Sequence, residues 1–540
     1  MKWILILAAL FFSQNSLAIV DMRLANYSDT WTDLELPGTG YDLKVTRTYN
    51  SRSLYNGMFG FGWCSDFETS FAVQADGSIH LKECGDGRLT IYTNAAFSTS
   101  NVKRVVDEIV KKEASVTKGV TKTYIDTLRA NLMLDHRQRQ VYADKYKISS
   151  GAKKGTVYKA GGESTETLVL MNDYYERTFS DGTKQRFDLN GNLTHLYDKN
   201  GNFLRIKYSQ GRIQIVGDNN GRQLSFSYYE NGKVKAINGP GGISASYKYE
   251  RLNDLSWVKS AWNNEYTFKY DELHNLVRIS FPDKTFKEIQ YNTNKDWVTA
   301  FKDRNGCAET YKYEFDKKDP KDHYWADVLK KCDGKVDTQA RFEFWFKPKR
   351  DGTGKFLARS YSKINNDVND VFYSDINGKP LRTVSNGKTS TFTYYPNGFL
   401  KERRSGNELA IFKYNTRNNK VSEVQIGKRK TVFRYDEKGN LTFAKSTEGQ
   451  AVKIDYDAKG RIVALADQAK RVVKITYDSQ FGKPAVVERP GVGRISVAYK
   501  PNGEIKKIDS DAGPTVAGQI ASTFRSLLDV VSPAGIDLGL

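Results

Sequence analysis

A tyrosine returns about every 21 residues through most of this 540-residue chain. So regular a period predicts one supersecondary unit copied many times, in which each unit buries its apolar face against its neighbours. The spacing is broken once, between about residues 316 and 356, which divides the tyrosines into two series. The repeat positions are Tyr208, Tyr228, Tyr249, Tyr270, Tyr291 and Tyr313, followed by Tyr373, Tyr394, Tyr414, Tyr435, Tyr456, Tyr477 and Tyr499.

Each unit has the pattern turn, strand, turn, strand. After Tyr435 and again after Tyr456 an aspartate follows the tyrosine, and a glycine stands three residues beyond that aspartate. The aspartate bonds its own backbone at the start of a type I turn, and the glycine takes the left-handed conformation that closes a hairpin. The strand before Tyr456 alternates Val452 and Ile454 with polar residues. This alternation predicts an antiparallel sheet with one packed face and one solvated face.

The sequence therefore predicts a mostly β protein. We expect an antiparallel β-hairpin repeat ribbon wound into a spiral shell or barrel-like body, with a small helical insertion and a C-terminal helix. The break in the tyrosine series is expected to be an enlarged hairpin or an insertion. The expected segments are a signal peptide at 1–18, an N-terminal β region at 19–100, a partly helical insertion at 101–173, the repeat array at 174–513, interrupted at about 316–356, and an amphipathic helix or plug at 514–540.

The N-terminus has the features of an export signal. Lys2 precedes an apolar stretch from Trp3 to Phe12, and a small-x-small cleavage site ends at Ala18. A retained anchor is the alternative, although the apolar stretch is short for a membrane span. The residue directly after Ala18 is not a cysteine, so we expect no lipid anchor of the bacterial type. We expect an exported protein of the periplasm, outer surface or extracellular space, with no transmembrane segment in the mature chain.

Four cysteines form two pairs that are local in sequence, namely Cys64 with Cys84 and Cys307 with Cys332. In an oxidising compartment this arrangement favours two disulfides that each close a hairpin-sized loop, although sequence alone allows three connectivities. Loop entropy predicts that each bond stabilises the fold by about 3 kcal/mol. A zinc site is disfavoured because no Cys-x-x-Cys pair is present.

Two segments outside the repeats have helical periodicity. In the insertion, apolar residues recur at helical spacing, and a second helix is predicted from about Tyr124 to Leu134; a lysine-rich mobile loop is the alternative. In the tail, an apolar face follows Pro514 and ends before Pro533. We expect the tail to plug the shell or cover an open edge, with a partner-binding helix as the alternative. The apolar positions are Val102, Val105, Val106, Ile109 and Val110 in the insertion, and Val516, Ile520, Phe524, Leu527, Leu528 and Val531 in the tail.

The net charge of +20 is spread over nearly every unit. This pattern is typical of a solvated outer sheet face, on which lysines also protect exposed edges. Attraction to polyanions is the functional alternative. Specific nucleic-acid binding is not expected.

The sequence offers no catalytic motif. The five histidines are scattered without ligand or base spacing, and the regular aspartates occupy turn positions. The glycines Gly57, Gly60 and Gly62 are interpreted as tight turns beside a packed Trp63, since no phosphate-binding Lys-Ser/Thr pair follows. We therefore predict a protein that is not an enzyme and has no catalytic, cofactor-binding or metal-binding residues. A hydrolase with carboxylates gathered inside the shell remains a further hypothesis.

Two stretches resemble the Rhs or YD-repeat family. Residues 174–234 resemble the repeat units of that family, which carry Tyr-Asp-x-x-Gly followed by Asn or Arg and then Leu or Ile. Residues 45–70 contain Tyr49-Asn50-Ser51-Arg52 and Gly60-x-Gly62-Trp63. The resemblance implies that the ribbon spirals into a hollow β shell, which in larger members encloses a toxic C-terminal polypeptide. This chain lacks the Asp-Pro-x-Gly motif of those toxins after Tyr499, so it resembles a short member without a toxin domain.

The expected size of the shell agrees with a small interior. Fourteen units would supply about 28 strands, which at ~4.8 Å per strand give a ribbon of about 130 Å; closed once, it would form a hoop about 40 Å across. A folded cargo of 100 residues, with a radius of gyration near ~13 Å, would fit poorly. The first functional hypothesis is an exported binding or structural module for glycans or anionic envelope polymers. The alternative is a shell or carrier in a toxin-delivery system, with cargo from a separate polypeptide.

Overall fold

A computed structural model describes residues 19–511, apart from residues 85–86, 152, 161–164, 251–252, 293, 351–354 and 501–504. The predicted signal peptide and the predicted C-terminal helix lie outside the described residues. Within them, no helix is both long and apolar enough to span a membrane.

The N-terminal segment forms a small antiparallel sheet and a two-stranded ribbon. The sheet has the order β1-β2-β3-β6, and the ribbon joins β4 to β5. A 3-10 turn at Asp66–Glu68 then leads into the rest of the chain. The strands are β1 (Ile19–Asp21), β2 (Asn26–Leu36), β3 (Leu43–Asn50), β4 (Asn56–Gly57), β5 (Gly60–Phe61) and β6 (Trp63–Cys64).

All later strands belong to one continuous antiparallel sheet of 36 strands, in which each strand pairs with the next along the chain. The first part contains β7 (Ser70–Val73), β8 (Ile79–Glu83), β9 (Arg88–Asn94), β10 (Val157–Ala160), β11 (Thr167–Leu170), β12 (Tyr175–Thr178), β13 (Lys184–Phe187), β14 (Leu193–Tyr197), β15 (Phe203–Ser209), β16 (Arg212–Asp218), β17 (Gln223–Tyr228), β18 (Val234–Asn238), β19 (Ser244–Glu250), β20 (Asp254–Lys259), β21 (Glu265–Tyr270), β22 (Leu276–Ser280), β23 (Phe286–Asn292), β24 (Trp297–Lys302) and β25 (Ala308–Phe315).

The sheet continues without a break through the segment where the tyrosine spacing fails. Three long strands, β26 (His323–Cys332), β27 (Lys335–Pro348) and β28 (Lys355–Ile364), cover that segment as an enlarged hairpin. The remaining strands are β29 (Asp367–Tyr373), β30 (Pro380–Ser385), β31 (Lys388–Tyr394), β32 (Leu400–Ser405), β33 (Glu408–Tyr414), β34 (Val421–Ile426), β35 (Arg429–Tyr435), β36 (Leu441–Ser446), β37 (Ala451–Tyr456), β38 (Ile462–Asp467), β39 (Val472–Tyr477), β40 (Pro484–Arg489), β41 (Gly493–Tyr499) and β42 (Ile505–Ser510).

The insertion contains three helices, α1 (Thr99–Val116), α2 (Lys122–Leu134) and α3 (His136–Lys145). They share an apolar cluster with Ala75, from the turn between β7 and β8. The third helix was not predicted, because its sequence has little apolar periodicity. Its start is set by Asp135, whose carboxylate accepts hydrogen bonds from two backbone N–H groups of the first turn.

The ribbon winds past itself twice. At its start it curls tightly, since the N–H of Phe71 donates to the carbonyl of Gly191 over 3.0 Å. Later it makes a wide turn, at the end of which the Asn202 amide donates to the carbonyl of Lys459 over 3.0 Å. A second contact joins the turn after β35 to the turn after β14, because the Asn440 side-chain amide donates to the side-chain oxygen of Asn200 over 2.8 Å.

The wide turn runs from β14 to β35, a difference of 21 strands. At ~4.8 Å per strand, its circumference is about 100 Å and its width about 32 Å. The predicted single hoop is therefore too simple, because the ribbon makes more than one turn. Among the described residues no ladder joins β42 to β7, so the sheet has two free edges rather than a closed seam.

The predicted mostly β hairpin shell is thus confirmed as a fold, with the N-terminal sheet packed inside it. The main core cluster combines residues of β2, β3 and β6 with the inner face of β7–β25. A second, smaller core cluster runs from β33 to β38. We call β7–β25 the first half of the long sheet and β29–β42 the second half.

Candidate functional site

The repeat tyrosines form a ladder of side-chain to backbone hydrogen bonds. In ten of the thirteen, the hydroxyl donates to a carbonyl at the start of the strand one hairpin earlier, so successive hairpins are tied together at the bulge that precedes the tyrosine. This contact gives the 21-residue period a physical cause, because it needs a phenol at a fixed position in every unit. The bond joins Tyr208 to Leu193, Tyr228 to Ile213, Tyr270 to Leu255, Tyr291 to Leu276, Tyr394 to Pro380, Tyr414 to Leu400, Tyr435 to Val421, Tyr456 to Leu441, Tyr477 to Ile462 and Tyr499 to Pro484.

Three repeat tyrosines depart from this ladder. Tyr249 donates instead to the carbonyl of Met58, in the N-terminal segment, over 3.3 Å. Tyr373 lies 2.9 Å from the hydroxyl of Ser360. The hydroxyl of Tyr313 is buried without a hydrogen-bond partner among the described residues. The first of these exceptions marks a place where the N-terminal segment replaces a contact of the array.

The N-terminal segment is fastened to the array through backbone groups. The N–H of Val234 donates to the carbonyl of Met58 over 2.9 Å, and the N–H of Val298 donates to that of Ala25 over 2.9 Å. Val234 is the first residue of β18 and lies opposite the bulge before Tyr228, where the ladder between β17 and β18 leaves its N–H without a partner. The N-terminal segment therefore satisfies backbone groups that would otherwise be buried without partners.

A fully buried ion pair lies between the two sheets. Arg47 donates from Nε to Asp33 over 2.7 Å, and both side chains have no exposed surface. The guanidinium lies over the rings of Trp63 and Phe268, at 4.4 and 5.0 Å from their centroids, and Tyr247 donates to Asp33 over 3.1 Å. Burial raises the pKa of the Asp33 carboxyl, and the nearby guanidinium opposes this shift. The arrangement joins two strands of the N-terminal sheet, β2 and β3, to two strands of the array, β19 and β21.

Two further carboxylates have structural partners. Asp29 accepts a hydrogen bond from Lys287 of β23 over 2.7 Å. Glu68 accepts from the backbone N–H of Met58 over 2.7 Å and from that of Ser65 over 2.9 Å. Burial raises the pKa of both carboxyls. Asp29 therefore fastens the N-terminal segment to the array, whereas the half-buried Glu68 holds together turns within the N-terminal segment.

The glycine cluster lies where the N-terminal segment contacts β19 and β20. Gly60 and Gly62 have φ of 96° and 74°, in the left-handed region. A Cβ on Gly60 would collide with the carbonyl of Asn253. Trp63, which follows, is fully buried and donates from Nε1 to the hydroxyl of Tyr270 over 2.8 Å. The glycines therefore permit a close approach of two backbones beside a packed tryptophan.

The structure joins Cys64 to Cys84 and Cys307 to Cys332 in two disulfides, with no free cysteine among the described residues. The first links the N-terminal sheet to the end of β8. The second links the turn before β25 to the end of β26. Both lie in the part of the molecule that contains the main core.

The histidines are brought into contacts that their sequence spacing does not reveal. The rings of His80 and His136 lie 4.8 Å apart where α3 meets β8, and His274 lies 2.9 Å from the Asp254 carboxylate. Burial lowers the pKa of both His80, to about 4, and His195, also to about 4. The part of the chain that the structure describes has no cluster of three or more metal-ligating side chains.

The outer face of the long hairpin carries a cleft that the sequence analysis did not identify. Ala326 is fully buried on the inner face, so its neighbours Trp325 and Asp327 point outward. Two adjoining hollows of about 750 and 600 Å³ lie on this outer face, and both include Arg341 and Lys363. We call the two hollows together the outer cleft.

Aromatic and cationic side chains alternate across the strands of the outer cleft. The guanidinium of Arg359 lies 4.3 Å from the ring centroid of Trp345 and 5.3 Å from that of Phe372, and Arg382 lies 4.0 Å from the latter. On its other side, Trp345 stacks on His323 at 4.7 Å. This row crosses five strands, β26 to β30. The alternation along residues 341–346 carried this signal in the sequence, but the segment was interpreted only as an enlarged hairpin or an insertion.

The outer cleft has an excess of positive charge. It is lined by four cationic and two acidic side chains, namely Lys312, Arg341, Arg359 and Lys363, and Asp327 and Glu343. Two of the cations, Lys312 and Arg359, also pair with carboxylates beside the cleft, those of Glu314 and Asp370. Arg341 pairs with Asp327 at 2.7 Å. Among the described residues no carboxylate lies within ion-pair distance of Lys363. The cleft therefore offers an ammonium group, planar guanidinium groups and aromatic surface to a ligand.

Comparison with protein families gives a match to the N-terminal part of the chain. A protein-family model described as a domain of unknown function, DUF6531, matches residues 19–92. No curated protein matches the chain. The fold defines the class of the protein as a hairpin-repeat shell with an internal N-terminal domain.

Solved structures with a distant likeness to this chain include complexes of TcdB2 and TccC3. The crystal structure of TcdB2-TccC3 has a TM-score of 0.39 at 11% identity and covers 90% of this chain and 30% of that one. The complex TcdB2-TccC3-TEV gives a TM-score of 0.39 at 10% identity, with 90% and 30% covered. The Photorhabdus luminescens Tc holotoxin pore gives 0.39 at 9% identity, with 90% and 29% covered. This chain spans less than a third of those chains, and we base no functional conclusion on the likeness.

Proposed function

We propose that this protein is an exported, non-enzymatic repeat protein of the Rhs or YD type that binds acidic glycan chains in its outer cleft. The observation that carries the proposal is the excess of cationic groups beside aromatic rings on β26–β28. The ammonium of Lys363, which has no carboxylate within ion-pair distance in the described part of the chain, suits the acidic group of a polysaccharide. Guanidinium groups suit carboxylates and hydroxyls through paired donors. The ring edges of Trp345 and Tyr361 supply apolar contact for a sugar ring.

Two other observations support export and the family. The two disulfides suit an oxidising compartment outside the cytoplasm. The family model covers the same region, residues 19–92, whose motifs resemble the segment that precedes the repeats in Rhs proteins. The tyrosine ladder gives the YD-like units a common structural role.

Binding to polygalacturonate, compared with neutral dextran, tests the proposed ligand. We expect the mature, oxidised protein to bind polygalacturonate in isothermal titration calorimetry and to bind dextran much more weakly. Lys363→Glu should weaken binding about tenfold or more, because it replaces a charge-assisted hydrogen bond by repulsion. Lys474→Glu, on the outer face of β39 and remote from the cleft, makes the same change in net charge and should alter affinity less than about twofold.

The two variants separate a site from general charge attraction. Equal losses in Lys363→Glu and Lys474→Glu would mean that the polymer is held by net charge alone. Equal binding of dextran would assign the cleft to neutral glycans. Failure to bind either polymer would contradict the proposed function.

A shell or carrier role is the second candidate, and the inner face of β29–β32 favours it. Polar side chains such as Asn369, Thr383 and Ser405 lie on this face and keep exposed surface among the described residues. A hydrated wall of this kind suits a polypeptide held inside the shell. An experimental density map of the mature protein tests this role: an open lumen wide enough for a second chain would favour it, and a lumen filled by residues 512–540 would exclude it.

A further inference from the structure

The last described strand, β42, departs from the burial pattern of the repeat. In the second strand of each hairpin, the first residue and the residue three positions later face inward. In β18 these residues are Val234 and Ile237, and both are fully buried. In β42 they are Ile505 and Ile508, which are 39% and 45% exposed.

The exposure of the two isoleucines does not come from a change in the direction of their side chains. Ile505 pairs with Tyr499, as Val234 pairs with Tyr228. A bulge before the tyrosine places Ile508 on the same inner face, as in the other hairpins. The two isoleucines therefore point inward in the usual way but lack the cover that other units have.

The position of β42 adds a second unsatisfied surface. It pairs with β41 on one side, and among the described residues no ladder joins its other side to a further strand, so the sheet is not closed there. A free edge next to exposed apolar side chains invites association with another chain. Another part of the protein, or a second copy of it, could therefore bury apolar surface by covering this end of the sheet.

We propose that the C-terminal tail, residues 516–531, packs on the inner face of β40–β42 and covers Ile505 and Ile508. The proposal is independent of the glycan function. The tail follows β42 almost directly, and its sequence places Val516, Ile520 and Phe524 on one apolar face with Leu527, Leu528 and Val531. It thus supplies the apolar surface that the final hairpin lacks.

Chain length restricts where the tail can reach. Asp511 is held to β41, because its N–H donates to the carbonyl of Arg494 over 3.2 Å and its carboxylate pairs with the Arg494 guanidinium at 2.9 Å. The five residues from Asp511 to Val516 span at most about 18 Å. Three strands span about 14 Å. The first apolar residue of the tail is therefore confined to the neighbourhood of β40–β42.

Site-specific photocrosslinking in the full chain tests the proposal. A benzoylphenylalanine at position 508, on the inner face, should crosslink to the peptide 512–540 of the same chain, as read by mass spectrometry of the monomer. The same group at position 507, on the outer face of the same strand, should give no such product. Crosslinks from position 508 only to a second copy, or to parts of the chain other than the tail, would overturn the proposal.

A tail variant gives a second readout that does not depend on the crosslinker. Phe524→Ser combined with Leu528→Ser should increase the binding of a hydrophobic dye at least severalfold and promote concentration-dependent association. Arg525→Gln, between them, should leave both unchanged. Dye binding and association that match the parent protein in the double variant would contradict the proposed packing.

Discussion

The two halves of the long sheet are built from the same hairpin but are covered differently on the inside. The residue two positions before the repeat tyrosine is 3% exposed at both Ile206 and Phe268 in the first half. In the second half, Phe392 and Val497 occupy the same position and are only half-buried. Between them, the units of β33–β38 are closed by the second core cluster, in which Phe412 and Phe433 are 2% and 4% exposed. The difference comes from what packs against the inner face, because the N-terminal sheet packs against the first half. The repeat thus specifies the ribbon, while a separate segment supplies most of the core.

The different cover of the two halves should affect their stability. A hairpin in the first half is held by its neighbours and by the N-terminal sheet, whereas a hairpin in the second half is held mainly by its neighbours. In a repeat array, stability is approximately a sum of local and nearest-neighbour terms, so halves with different cover can differ in stability. We expect the first half to resist unfolding more strongly.

Removing an equivalent phenylalanine from each half should give the largest difference. Phe268→Ala should destabilise the protein by about 3–5 kcal/mol, because its ring contacts Trp31 and Trp63 in a closed core. Phe392→Ala should cost less than about half of this, because its ring already contacts solvent. Urea denaturation of both variants measures the difference, and equal losses would contradict the assignment of β21 to a filled part of the shell and of β31 to an open part.

Breaking the buried ion pair should have an effect of similar size. Arg47→Met should cost about 3–5 kcal/mol, because it leaves Asp33 buried without its cationic partner. Adding Asp33→Leu should recover much of this loss, since two apolar side chains can replace the pair. Arg359→Met breaks a partly exposed pair with Asp370 and should cost at most about 1 kcal/mol. A small loss in Arg47→Met would mean that water reaches this site.

Acid should weaken the first half selectively. Burial lowers the pKa of His80 to about 4, from an ordinary value near ~6.5 in the unfolded chain. Its stabilising contribution is therefore complete above pH ~6.5 and is lost as the pH falls towards about 4, by up to about 3 kcal/mol. The groups that face it are His136, Asp76, Arg139 and Lys82.

Hydrogen exchange at pH 7.5 and pH 4.5 measures this effect region by region. We expect faster exchange at the lower pH around α3 and β8, after correction for the intrinsic rates, and little change beyond β28, since no histidine follows His323. His80→Gln should reduce the pH dependence. A uniform change over both halves would assign the effect to net charge instead.

Removing single hydroxyls from the tyrosine ladder should give the smallest differences. Tyr435→Phe should cost about 1 kcal/mol, the usual contribution of one hydrogen bond. Tyr270→Phe should cost more, about 2 kcal/mol, because the same hydroxyl also accepts from the buried Nε1 of Trp63. Equal losses, measured by urea denaturation, would show that the N-terminal sheet adds nothing to the ladder at this position.

Much of the architecture could be predicted because it depends on short-range patterns. The tyrosine period and the alternation of residues such as Val452 and Ile454 indicated antiparallel hairpins, which the structure contains. The helix α3 was missed because Asp135 and the tertiary contacts of Arg139, rather than an apolar period, hold it. The outer cleft was missed because Trp345 and Arg359 come from different strands and meet only through the register of the sheet.

The sequence by itself determined the repeating hairpin, because its turns, its alternating strands and its tyrosine bonds all act within one or two units. Only the tertiary structure decided which units are filled. Tyr247 and Asp33 are 214 residues apart, and their contact requires the N-terminal sheet to enter the spiral. No local pattern encodes a contact of that separation, since it depends on how the whole ribbon curves. The same physical reason explains why two halves with one repeat have different interiors.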